Sequence, residues 1–276
     1  MRAILLVIAV LLAGAGCVPL QTPPSPSSQE GVAGASLPLV KGETEGVPEL
    51  RVPVLMYHHV GTVPARDPYG LFVSTSTFRA QMQALKDDGW SVVTMPALAD
   101  ALEGKQTLPK KSVVISFDDG NRDTSTGAFP ILQEFRYDAT VFVMTGPSGN
   151  KAASYLPPDL LRELMDAGWT IAPHTRWHET LTRVPEALAR EEVVSSVEFL
   201  AREVGVREPY FAYPNGEENE TVRGFLREAG IRYAFTIHEG VVTTSSDPLA
   251  LPRLRMGEDY GVQKFLERLR AAAVRG

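Results

Sequence analysis

The sequence predicts an α/β domain in which helices cover a parallel sheet, and three observations carry that reading. Strand-like and helix-like segments alternate from Arg51 to the C-terminus. Ser112–Phe117 is an apolar run without alternation, the mark of a strand buried on both faces. Glycines close the helical stripes, as Gly89 and Gly205 do. Repeated β-α units imply parallel pairing, and about seven of them can close a sheet into a barrel.

The chain has 276 residues, 44% hydrophobic and 22% charged, an ordinary globular composition. Arg2 and the apolar run Ala3–Ala13 read as an export signal, since permanent spanning needs roughly 20 apolar residues. Gly14, Ala15 and Gly16 before Cys17 resemble a lipobox, with Gly14 where a leucine is usual. The expectation is a signal over 1–17, with Cys17 the lipidation site and the membrane reached through that anchor. Residues 18–50, rich in Pro, Ser, Gly and Gln, read as a disordered tether, and 51–276 as a single folded domain. Localisation is then the cell envelope or the exterior.

Within the domain, Val52–Tyr57 is β-prone, and Phe78, Met82 and Leu85 lie at helical spacing. After Ser112–Phe117 come a helix over Ala128–Phe135, a strand over Ala139–Met144, a helix over Asp159–Ala167 and a strand over Trp169–Ala172. Pro185–Val204 is the clearest helix, with Val193, Val197, Leu200 and Val204 on one stripe. Strands at Tyr210–Tyr213, Tyr233–Ile237 and Leu251–Arg255 follow, with helices at Val222–Ala229 and Gln263–Ala272.

The net charge of −6 offers no basic face, so nucleic acid is not an expected partner. The single cysteine excludes an intrachain disulfide and a thiolate zinc site, leaving His, Asp and Glu as metal ligands. Three clusters fall just after strands, where parallel barrels keep their chemistry. Asp118 and Asp119 follow Phe117. His174 and His178 follow Ala172 at a spacing that suits one side of a helical turn. His58 follows Tyr57. One carboxylate and two imidazoles leave positions open for water, as a catalytic metal requires.

Ser116-Phe117-Asp118-Asp119-Gly120 resembles the first motif of NodB-type polysaccharide deacetylases, carbohydrate esterase family 4. His174-Thr175-Arg176-Trp177-His178 resembles the second, and Phe211-Ala212-Tyr213-Pro214-Asn215-Gly216 a variant of the third. The resemblance implies a distorted (β/α)₇ barrel and a divalent metal, zinc or else cobalt or nickel, on Asp119, His174 and His178. It implies that Asp118 is the base and that Asn215 N–H helps form an oxyanion hole. Ala212 stands where the third motif usually carries an arginine, and no C-terminal Leu-x-x-x-His is found, the last histidine being His238. Met56-Tyr57-His58 resembles the N-terminal element of circularly permuted poly-N-acetylglucosamine deacetylases, which makes His58 the candidate acid ahead of His59. Leu251-Pro252-Arg253 suggests that Arg253 replaces the missing arginine beside Asp118. Trp177 and Tyr213 are candidate sugar-stacking groups, while Tyr69, Trp90 and Trp169 read as core. Glu217, Glu218 and Glu220 read as a solvated acidic first turn. The expected activity is removal of N-acetyl groups from an N-acetylglucosamine polymer by a monomer. Ester hydrolysis at the same site and non-catalytic glycan binding are the alternatives.

Overall fold

A computed structural model describes residues 49–274. The expected export signal, Cys17 and nearly all of the tether lie outside the described residues. β1 (Arg51–Val52), β2 (Val54–Tyr57), β3 (His59–Val60) and β4 (Phe72–Val73) precede α1 (Thr75–Asp87), β5 (Ser91–Val92), α2 (Met95–Leu102) and β6 (Ser112–Phe117). A π-turn at Thr124–Ala128 leads into α3 (Phe129–Phe135), β7 (Thr140–Val143), α4 (Thr145–Gly149), α5 (Pro158–Asp166) and β8 (Thr170–Pro173). Then come α6 (Glu186–Glu203), β9 (Tyr210–Ala212), a 3₁₀ turn at Pro214–Gly216, α7 (Glu220–Glu228), β10 (Tyr233–Glu239), β11 (Val242–Thr243), β12 (Leu251–Arg255) and α8 (Val262–Val274). No helix among the described residues is long and apolar enough to cross a membrane.

The main sheet runs β8-β7-β6-β2-β12-β10-β9, with parallel pairing throughout and β5 added beside β6. These seven strands form a nearly closed barrel, as the α/β reading predicts. Alternation along the strands divides the core. Leu55, Ile115, Val141 and Ile171 pack outward with Phe78, Met82, Leu132, Leu164 and Phe265 from the helices. Val54, Val114, Phe142, Ala172, Ala212, Phe235 and Leu251 come from seven different strands and fill the interior. Both faces are therefore dry, which is why β6 reads as an unbroken apolar run. Under the β6 end, Phe117 stacks on Tyr57 at 5.6 Å and on Trp169 at 5.7 Å. Aromatic pairs of this kind are worth ~0.5–1.5 kcal/mol beyond their burial.

Several expectations are revised. The strand expected over 52–57 is split at Pro53, whose nitrogen cannot donate to a ladder. Helix α2 went unread in the sequence, as did β3 and β4. The segment before α3 winds as a π-turn because the chain passes tightly under β3. A Cβ at Gly127 would stand 1.9 Å from the Val60 carbonyl oxygen, so only glycine fits there. Trp90 and Trp169 are core, but Tyr69 is not: it is 74% exposed. Of the three glutamates, only Glu220 lies in the first turn of α7; Glu217 pairs with Arg183 and Glu218 with Arg223.

Candidate active site

The polar clusters meet at the C-terminal end of the barrel. His58 follows β2, Asp118 and Asp119 follow β6, His174 and His178 follow β8, and Tyr213 and Asn215 follow β9. With Tyr69, Leu71, Ile237 and Arg255 they line one cavity of about 200 Å³. A larger surface groove of about 470 Å³ between α1 and α8 holds no such cluster.

Asp119 Oδ1 stands 3.5 Å from His174 Nε2 and 3.6 Å from His178 Nε2. Both separations are too long for good hydrogen bonds, and Asp119 Oδ1 is a buried oxygen without a hydrogen-bond partner. Ligand atoms about 2.0–2.2 Å from one zinc-sized ion at tetrahedral angles stand roughly 3.3–3.6 Å apart. The donor set, its spacing and the orphaned oxygen therefore fit a divalent cation. His174 Nδ1 donates to the Ala212 carbonyl at 2.7 Å, which fixes the tautomer and leaves Nε2 facing Asp119. Burial, joined by the nearby His174 charge, lowers His178 to about 4, so its ring is neutral near pH 7 and its lone pair is free. For His174 burial works downward, but the Asp119 and Asp118 carboxylates outweigh it and raise the ring.

The histidine pair is not on a helical turn, contrary to the sequence reading. The segment after β8 is a loop in which Thr175 and His178 take φ of 64° and 65°. Asp119 and Asn215 are also left-handed, at 70° and 58°. Such conformations cost about 1–3 kcal/mol each in non-glycine residues and persist only where surroundings impose them. Glu192 of α6, 1% exposed, is one such imposition. Its Oε2 accepts from the backbone N–H of Arg176 at 2.9 Å and of Trp177 at 2.7 Å. An acid beside Val193 on the apolar stripe of α6 was the sequence signal for it, and it went unread.

Asp118 is buried, and Arg253 donates to both its oxygens, Nη1 to Oδ1 and Nη2 to Oδ2, each at 2.7 Å. Arg253 Nε donates to the Thr236 carbonyl, and the guanidinium lies 5.5 Å over the Phe142 ring. Burial alone would raise the Asp118 carboxyl, but the Arg253 charge and hydrogen bonds, with His174, hold it below the ordinary carboxylate value. A carboxyl depressed in the folded state stabilises the fold above its ordinary pKa, and the benefit fades as pH falls through the folded pKa. Arg253→Met is therefore expected to cost about 3–5 kcal/mol at pH 7 by stranding the Asp118 charge. The loss should narrow as the pH drops below about 4, where Asp118 can protonate. Urea unfolding at both pH values checks this, and a small, pH-independent loss would show that the pair does not hold the fold.

His58 Nε2 lies 3.9 Å from Asp118 Oδ2, and its Nδ1 is buried without a partner. Burial lowers its pKa, with Asp118 and Asp119 opposing. His59 is turned away, its Nδ1 2.8 Å from Asp123 Oδ2 and its ring stacked on Phe72 at 4.1 Å. Asn215 Nδ2 donates to Thr180 Oγ1 at 2.8 Å. Tyr213 does not offer a stacking face: it is wholly buried and its hydroxyl donates to the Leu249 carbonyl. Trp177 is 46% exposed in the histidine loop. Tyr69 sits at the mouth of the cavity, a position the sequence reading missed because it assigned that ring to the core.

Residues 105–234 match the polysaccharide deacetylase family. Over 199 residues the chain is 27% identical to the poly-beta-1,6-N-acetyl-D-glucosamine N-deacetylase of Staphylococcus aureus, an alignment covering 68% of each protein. It also resembles the Streptococcus pyogenes deacetylase PplD, solved in complex with acetate, with a TM-score of 0.76 at 25% identity over 80% of this chain and 99% of that one. IcaB from Ammonifex degensii gives a TM-score of 0.70 at 26% identity over 80% and 97%.

Proposed function

We propose that this chain, which matches the polysaccharide deacetylase family over residues 105–234, is an exported, metal-dependent hydrolase of poly-N-acetylglucosamine, releasing acetate and a free amine. The observation that carries the reading is the convergence of Asp119, His174 and His178 on one point, with an ionised Asp118 beside them. Similarity to the S. aureus enzyme supports the choice of polymer. The apolar run before Cys17 supports export, with lipidation of Cys17 as the anchor. Fractionating cells that make the wild type and Cys17→Ser checks this, and a cytoplasmic wild type would refute it.

Asp119, His174 and His178 would hold the cation: zinc, or cobalt or nickel. When bound it would supply Lewis acidity, making a water more acidic and polarising the acetamide carbonyl. The remaining work belongs to the side chains. Asp118, kept ionised and oriented by Arg253, takes the proton as the water oxygen bonds to the acetyl carbon. The Asn215 N–H faces the oxygen on which negative charge develops. His58 then gives a proton to the nitrogen as the C–N bond breaks, leaving acetate and an amine. Asp118, with Oδ2 3.9 Å from His58 Nε2, favours the protonated ring that this delivery requires. Trp177 and Tyr69 offer exposed ring faces to neighbouring sugars.

His58→Ala is expected to lower kcat by about 10²-fold or more with metal content unchanged; an unaffected turnover would remove His58 from the mechanism. The activity itself is tested by acetate release from poly-β-1,6-N-acetylglucosamine set beside aryl acetates. Ester cleavage without acetate from the glycan would make the protein an O-acetyl esterase. Glycan binding with neither metal nor acetate would make it a binding protein.

A further inference from the structure

Arg255 ends β12, beside Met56 of β2, and half-buried it lines the cavity at the His58 side. Its Nη1 donates to the Tyr69 carbonyl at 3.1 Å, and among the described residues its guanidinium meets no carboxylate. The charges around it are otherwise matched. Asp118 is taken by Arg253, Glu239 by Arg268, and Asp119 faces the two histidines. Arg255 is thus an unneutralised permanent charge on the cavity wall, and its field reaches the His58 ring, where it opposes protonation.

Substrate and product of a deacetylase differ in charge at one atom: an acetamide nitrogen is neutral and the amine left behind is an ammonium ion near neutral pH. On the deacetylase reading given above, that nitrogen lies next to His58. We propose that Arg255 is a charge filter, admitting sugars whose nitrogen is acetylated and turning away those that carry a free ammonium. Repulsion between two like charges that share one half-buried cavity of about 200 Å³ is large enough to separate the two sugars. The filter clears the product from the cavity and keeps already deacetylated units from occupying it.

Titration calorimetry with short β-1,6 oligomers of N-acetylglucosamine, glucosamine and glucose tests this in wild type, Arg255→Gln and Arg255→Lys. Arg255→Gln is expected to bind the glucosamine oligomer about tenfold more tightly (~1.4 kcal/mol). The two neutral oligomers should change by less than about twofold, and Arg255→Lys, which keeps the charge, should behave as wild type. Unchanged glucosamine affinity in Arg255→Gln would overturn the filter. So would a parallel change for all three sugars, which would mean that Arg255 only props the Tyr69 loop, and so would absence of any aminosugar binding. Acetate release is followed in the same preparations. Turnover without the charge contrast sinks the filter alone, whereas the contrast without turnover sinks the deacetylase reading and leaves the filter.

Discussion

Asp118→Asn is expected to lower kcat by about 10²–10⁴-fold while bound metal stays at the wild-type level. The amide keeps the size and planarity of the carboxylate, so the cavity should keep its shape, but it cannot take a proton at neutral pH. Asp118 is not among the three groups around the candidate cation position, so the metal should remain. The substitution also leaves Arg253 as a wholly buried guanidinium facing a neutral group, which costs about 3–5 kcal/mol of stability. Activity is therefore best compared well below the variant's unfolding temperature. A kcat within tenfold of wild type, in protein shown to be folded and loaded, would remove Asp118 as the base.

Stripping the protein with a chelator should abolish turnover, and zinc, cobalt or nickel should restore it. His178→Ala should fail to recover under the same add-back, because one of three donors is gone. A pH dependence accompanies this. His178 is already neutral near pH 7, but His174 is raised by its carboxylate neighbours, so protons compete with the cation at that ring. Metal affinity should consequently fall as the pH drops below neutrality. Metal analysis by mass spectrometry after dialysis at pH 5.5 and 7.5 measures it. Full turnover in protein shown to be metal-free would end the metal hypothesis.

The barrel was legible in the sequence because its strands are buried on both faces. Ser112–Phe117 has no choice of surface and its ends could be placed to the residue, as could those of Leu251–Arg255, although Pro252 and Arg255 there are only partly buried. The acids and histidines could be found because they follow such ends directly. What escaped was the loop geometry. The left-handed backbone at Asp119, Thr175, His178 and Asn215 leaves no periodic trace, so a helical turn was assumed where a strained loop exists. Tyr69 looked like core because an aromatic residue in isolation usually is, whereas Asp67 holds its loop out by accepting from Phe72 N–H at 2.9 Å. Glu192 and Arg255 act on partners 15 and 186 residues away; an acid on an apolar stripe marks the first as unusual, but no local pattern names the partner of either.

The ladder of the sheet stops between β8 and β9, where Ala172 and Ala212 share the packed interior, and the one hydrogen bond described across that gap is from the imidazole of His174 to the Ala212 carbonyl. The ring that buckles the hoop is the same ring whose opposite nitrogen is offered to the ion. Loosening the hoop and letting go of the ion would therefore be a single motion, and an occupied centre would act as a rivet for the whole cylinder.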